Sequence, residues 1–234
     1  MNAQAGDPNI DILTAIATAL GELREEVVLV GGSAAGLLVT SIRAQQIRMT
    51  EDVDVIVEVA SLAEYQAMER RFEKLGFAHD LSERAPICRW TLRGLIVDLL
   101  PTAPGILGFH NRWYPIAVQT AQPFDLGNGL VIRLITAPLF IATKLEAFKG
   151  RGRGDYLGSH DLEDIITIVD GRAQLEADLQ SAPEETRNYL AKEFKALLST
   201  PAFVESISGH LPPDRASQMR APGLTEKLRR IAGQ

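Results

Sequence analysis

The chain has 234 residues, 46% of them hydrophobic and 23% charged, with a formal charge of −6 at neutral pH. That length and balance suit one ordinary domain with an appendage, or two small domains, able to bury a sizeable core. They exclude a broad basic face of the kind that coats nucleic acid, so a nucleic-acid substrate would have to be met by a local patch.

A single cysteine, Cys88, rules out an internal disulfide, and a reducing cytoplasm is the default compartment. The N-terminal run MNAQAGDPNIDIL has no basic segment and carries Asp7, unlike a secretory signal. The longest uncharged stretch, Val27 to Ile42, is too short and too rich in glycine to span a membrane. The expectation is a cytoplasmic protein without membrane contact.

In chain order, residues 9–21 have helical spacing through Ile12, Leu13, Ile16 and Leu20, and 27–31 is an apolar run of strand length ending at Gly31-Gly32. A helix is expected over 34–46 behind that turn, then a strand over 52–59. Ser61 with Glu64 forms a capping box for a helix at 62–74, which Gly76 ends. Ile87 to Leu92 and Leu95 to Leu100 flank Arg93-Gly94 as a hairpin. A loop rich in Pro and Gly follows at 101–112, with short strands near 114–119 and 130–135.

The character then changes. Thr136 and Pro138 open a helix whose apolar face is Leu139, Ile141, Ala142, Leu145 and Phe148, and GRGRGD at 150–155 breaks it. Ser159 starts another helix, and helical patterns recur at 173–182, 184–198 and 223–232. The reading is an α/β (α+β) core over 1–135, with a mixed sheet flanked by helices, and a helical domain over 136–234.

The chemistry lies in VVLVGGSAAGLLVTSIRAQQIRMTEDVDVIV, residues 27–57. Residues i and i+2 of a strand share a face, so Asp52 and Asp54 present both carboxylates to one site while Val53, Val55 and Val57 fill the buried side. Two adjacent carboxylates repel, and a divalent cation reverses that penalty. Oxygen ligands without nearby Cys or His favour magnesium or manganese over zinc. Gly31 and Gly32 allow close backbone approach, Ser33 can bind phosphate oxygens, and the next helix N-terminus favours an anion. Asp98, in IVDLLP, points away from the core. Beside the Asp52 strand it would complete three carboxylates, as a metal ligand or as the base for an attacking hydroxyl.

Each feature also has a plain structural reading: a tight connection for Gly31-Gly32, a solvated strand edge for the aspartates. Their joint order favours function. Gly31, Ser33 and Gly36 occupy the positions of a dinucleotide-binding G-x-G-x-x-G, but with serine at the centre, so an oxidoreductase is the weaker reading. Four scattered histidines give no zinc spacing, and Ser33 lacks a hydrolase elbow.

With these residues in place, the chain resembles the DNA-polymerase-β-like nucleotidyltransferases, specifically AbiEii-type nucleotidyltransferase toxins. The resemblance rests on Gly31-Gly32-Ser33, on RMTEDVDV from Arg48 to Val55 as R-x-[ST]-x-D-x-D, on Asp98, and on IATKLEAFKGRGRGDYLGSHDLEDI from Ile141 to Ile165. It implies a nucleotidyltransferase-like fold, an NTP donor, magnesium held by Asp52, Asp54 and Asp98, and transfer to a hydroxyl of tRNA, a protein or a small molecule.

The resemblance further implies that Lys144 contacts the triphosphate, with Asp161 and Asp164 as its companions, and that Gly31, Gly32, Ser33 and Arg48 help to hold the nucleotide. It allows an antitoxin protein as partner. A non-catalytic nucleotide-binding module is the alternative.

Overall fold

The structure is a computed structural model that describes residues 7–41 and 47–233. It divides into two compact units, Met1–Leu37 with Arg48–Thr136, and Leu38–Ile47 with Ala137–Gln234.

The first unit opens with helix α1 (Ile10–Leu20), then strand β1 (Val27–Val30), a 3-10 turn at Gly32–Ala34 and the single-turn helix α2 (Ala35–Leu38). Strand β2 (Asp52–Val57), helix α3 (Leu62–Lys74), strands β3 (Ala78–His79), β4 (Arg89–Leu92) and β5 (Leu95–Pro101), helix α4 (Tyr114–Thr120) and strands β6 (Gln122–Asp125) and β7 (Val131–Leu134) follow. The seven strands form one mixed sheet in the order β3-β4-β5-β2-β1-β7-β6.

Register sorts the sheet into two faces, because cross-strand partners point the same way. Val27, Leu29, Val53, Val55, Val57, Val97, Leu99 and Trp90 share one face and are all buried. Leu13, Ile16, Ala17 and Leu20 of α1 lie over it beside Val27, Leu29 and Val55. Phe72 of α3 meets Trp90 with ring centroids 5.6 Å apart. On the other face Arg133, in register with Val28, donates to the carbonyl of Val118 in α4 at 2.7 Å.

Local signals explain most boundaries. Ser61 Oγ accepts the Glu64 N–H, and the Glu64 carboxylate takes the Ala60 N–H at 2.7 Å. At the other end Gly76 has φ +91°, with Gly76 N–H on Glu73 and Phe77 N–H on Phe72, a Schellman cap. Arg93 and Gly94 both have positive φ, at 50° and 85°, so the β4–β5 turn is of the primed type that matches strand twist.

Two expectations fail. Residues 114–119 form α4 rather than a strand: Pro115 sits in its first turn, Asn111 Oδ1 accepts the Trp113 N–H at 3.1 Å, and buried Ala117 and Val118 give it an inner side. The β-branched Ile116 and Val118 fit a helix once that start is fixed. The helix expected over 34–46 is only one turn long, since the N–H groups of Thr40 and Ser41 both turn to the Gly171 carbonyl. Residues 42–46 of that expected helix lie outside the described residues.

The second unit holds helices α5 (Ala137–Arg151), α6 (His160–Gly171), α7 (Leu175–Ser181), α8 (Glu184–Leu198), α9 (Pro201–Ser206), α10 (Arg215–Gln218) and α11 (Ala221–Ile231). Ser159 caps α6, its Oγ accepting the Leu162 N–H at 3.4 Å. Helix α5 is buried nearly all round from Ala137 to Leu145, so it is the central helix of this unit, against α6 and α8. Among the described residues, no helix is long and apolar enough to cross a membrane.

Candidate functional site

The acids gather on the sheet face opposite the valines. Asp54 is in register with Val30 on one side and Asp98 on the other, and Asp52 lies two residues along β2 on the same face. The parallel pairing of β2 with β5 therefore joins two carboxylates far apart in the chain. Asp98 itself is buried at 7% exposure.

A fourth side chain, unanticipated from the sequence, completes the cluster. Arg89 pairs with Asp98 across β4 and β5. Its guanidinium grips Asp98 with Nε to Oδ1 at 2.9 Å and Nη2 to Oδ2 at 2.8 Å, and Nη2 also donates to Asp52 Oδ2 at 2.6 Å. The hydrogen bonds to Asp98 raise the Arg89 pKa beyond its already high value, against the opposing effect of burial. Next to it, burial pushes the Cys88 thiol up to about 12, helped by the charges of Asp98 and Asp54. Cys88, just before β4 and 2% exposed, is thus a packed thiol.

The turn after β1 is built to admit Asp54. Gly31 has φ +71°, and a Cβ there would meet Asp54 Oδ2 at 1.8 Å, so the carboxylate rests directly against the Gly31 backbone. Two residues on, Ser33 is 1% exposed and its hydroxyl has no hydrogen-bond partner among the described residues. A buried hydroxyl without a partner is uncommon and suits a polar ligand atom. The single turn of α2 offers little dipole, so the anion-attracting helix expected there is reduced to the turn itself.

The lead-in to β2 is clamped. Asn9 Nδ2 donates to the Arg48 carbonyl at 2.9 Å, and Asn9 Oδ1 accepts the Thr50 N–H at 2.9 Å. Asp7, 4% exposed, accepts the Asn9 N–H through Oδ1, while its Oδ2 lies where a Cβ on Gly36 would fall. Burial raises the Asp7 pKa, only partly offset by that N–H.

The other predicted site residues sit in the second unit. Lys144 of α5 is 8% exposed, with Nζ 2.6 Å from Asp164 Oδ2 and 3.4 Å from Asp161 Oδ1 of α6. Arg151 adds a two-pronged contact to Asp161, at 2.9 and 2.7 Å. Burial would raise the Asp161 pKa, but the hydrogen bond from Arg151 and the charge of Lys144 outweigh it and lower the value.

In donor type, Asp52, Asp54 and Asp98 suit a hard divalent cation: all are carboxylates on one face, without nitrogen or sulfur ligands. Asp52 and Asp54 are the pair that would hold it. Both Asp98 oxygens are taken by Arg89, and among the described residues no three His, Cys, Asp or Glu side chains already converge as a metal cage.

The antiparallel pairing of β1 with β2 overturns the dinucleotide-binding alternative, whose first two strands must run parallel through a crossover helix. A mixed sheet of this kind with a helical C-terminal region is a nucleotidyltransferase-like fold. The solution structure of the antibiotic-resistance factor ANT(2'')-Ia is similar at a TM-score of 0.50 and 14% identity, over 83% of this chain and 97% of that one. The crystal structure of an antigenic nucleotidyltransferase-like protein from Paracoccidioides brasiliensis has a TM-score of 0.49 and 16% identity, over 88% and 94%. At such identities the likeness concerns fold alone. No protein-family model matches the sequence, and no curated protein matches it.

Proposed function

We propose that the chain is a nucleotidyltransferase that moves an NMP group from an NTP to an acceptor hydroxyl, dependent on magnesium or manganese. The observation that carries this is the register that puts Asp54 beside Asp98, with Asp52 on the same face and the Gly31 turn pressed against Asp54. Three strand acids beside a glycine turn and a buried serine hydroxyl without a partner among the described residues are the parts this reaction needs, in which a protein chiefly positions phosphates and offsets charge.

In the proposed reaction the acceptor oxygen bonds to the α-phosphorus, the bond from that phosphorus to the bridging oxygen breaks, and pyrophosphate leaves with the bonding pair. The acceptor proton passes to a carboxylate of the cluster. When bound, a divalent cation offsets the charge on the triphosphate oxygens. Asp52 and Asp54 hold it, Gly31 and Gly32 bring the backbone close to the phosphates, and Ser33 supplies a hydroxyl to them. Arg48, fixed through its carbonyl by Asn9, adds positive charge near the lead-in to β2.

The resemblance to AbiEii-type toxins extends the proposal to a toxin with an antitoxin partner and to tRNA, a protein or a small molecule as acceptor. It also assigns Lys144, Asp161 and Asp164 to the triphosphate. Their mutual pairing favours a different part for them, a brace between α5 and α6.

A non-catalytic nucleotide-binding module is the second reading. The hold of Arg89 on two of the three acids is the observation in its favour. Transfer of label from each α-phosphate-labelled NTP into RNA, protein and small-molecule fractions separates the two. Label that appears with the intact protein and not with Asp52→Asn/Asp54→Asn supports transfer and names the acceptor class. Nucleotide binding without label in any fraction supports the module.

A further inference from the structure

Arg89 stands where a cation is wanted. Its planar fork covers both oxygens of Asp98, and the same Nη2 reaches Asp52 at 2.6 Å, so one permanent positive charge bridges acids from two strands. The bridge is sheltered, with side-chain exposures of 22% for Arg89, 9% for Asp98 and 38% for Asp52. It is also fixed by the fold, since β4 and β5 pair through a two-residue turn that sets Arg89 opposite Asp98. Carboxylates so placed would repel strongly without a counter-charge. A divalent ion that drew Asp98 or this Asp52 oxygen into its coordination shell would need the same lone pairs that Arg89 occupies.

We propose that Arg89 is a positioning residue that acts as a built-in counter-cation. It holds Asp52 and Asp98 together in the metal-free protein and is exchanged when a divalent cation binds. This rests on the metal-site reading given under Proposed function. Its consequence is that free metal binds weakly, because each binding event must also break the charge-assisted hydrogen bonds of Arg89. The arginine thus sets the metal affinity of the cluster.

The test is Mn2+ alone, titrated into the full chain without nucleotide and followed by the electron paramagnetic resonance signal of free Mn2+. Arg89→Met is expected to bind Mn2+ at least about tenfold more tightly than the unaltered protein, since one competitor for the carboxylates is gone. It is also expected to melt lower without metal and to gain more on Mn2+ addition. Arg89→Lys, which keeps the charge but loses the fork, is expected to fall between the two and serves as the readout if Arg89→Met does not fold without metal. Asp54→Asn should weaken Mn2+ binding in every background.

Equal or weaker Mn2+ affinity in Arg89→Met or in Arg89→Lys, with binding still dependent on Asp54, overturns the exchange and leaves the metal site standing. A purely structural arginine would give that result, lowering the melting temperature without tightening metal binding. No Mn2+ bound by any form overturns the metal site and the exchange with it.

Discussion

The molecule contains two clusters of like ingredients in different settings. In the first unit the Arg89 guanidinium bridges Asp52 and Asp98, with Asp54 on the same face of the sheet. In the second, Asp161 and Asp164 face two cations, Lys144 and Arg151. In the helical cluster the acids are under a tenth exposed and the ion pairs run between 2.6 and 3.4 Å. The sheet cluster lies on a more open face, with the Asp52 side chain 38% exposed, beside a backbone turn cleared of side chain and a serine hydroxyl without a partner among the described residues. Buried acids held by cations of a neighbouring helix fix helices, whereas acids on a partly open face beside such a turn are arranged for a ligand.

That contrast is most sharply broken by Asp54→Asn. The account predicts a fall in turnover of about a hundredfold to a thousandfold, the scale seen when one charge-stabilising group is lost, with the fold retained. Lys144→Met should do the reverse. It takes the Lys144 charge from buried Asp164 and leaves Asp161 with Arg151 alone of the two cations, so stability should drop by roughly 3–5 kcal/mol in chemical denaturation. Turnover per folded molecule, measured well below the new melting point, should change far less.

Gly31→Ala lies between them. The new methyl would overlap Asp54 and sit at φ +71°, so a stability loss of about 1–3 kcal/mol is expected together with weaker metal binding, read by denaturation and by Mn2+ titration.

The smallest effect concerns pH. The Asp161 pKa is lowered in the fold, so its contribution is fully present above the ordinary carboxylate value and is lost as pH falls through the folded value. The Asp7 pKa is raised, so its effect on stability runs the other way: the carboxyl is best tolerated below the ordinary value and costs stability as pH rises through the folded one. Asp7→Asn should therefore raise the denaturation midpoint at neutral pH and leave it unchanged in strong acid, whereas Asp161→Asn should lower it at neutral pH.

What the sequence revealed follows the range of the interactions involved. The alternation in Asp52–Val57, the Ser61 and Ser159 caps, the Gly76 stop and the Arg93-Gly94 turn are local, and each lies where the pattern puts it. The spacing of Asp52 and Asp54 and the face that Asp98 takes were legible for the same reason, but the burial of Asp98 was not.

Arg89 was not. Its importance comes from the register of β4 on β5 and of β5 on β2, which no run of neighbours encodes, although a charged residue opposite Asp98 in a recognised hairpin was the available signal. Helix α2 fell short of its expected length because Thr40 and Ser41 bond to Gly171, more than a hundred residues away in the chain. The β-branched residues of α4 imitated a strand because its start is set by Asn111 and Pro115 rather than by periodicity. Strands β3 and β6 escaped notice because one has two residues and the other carries Pro123 at the sheet edge, where a missing N–H is tolerated.

The most direct test of the central claim is calorimetric titration of an α,β-methylene NTP, which cannot be cleaved between the α and β phosphates, with and without Mg2+. The account predicts binding that needs Mg2+ in the unaltered protein and is lost in Asp52→Asn/Asp54→Asn with the fold intact. Equal binding without the metal, or undiminished binding in the double variant, would contradict it.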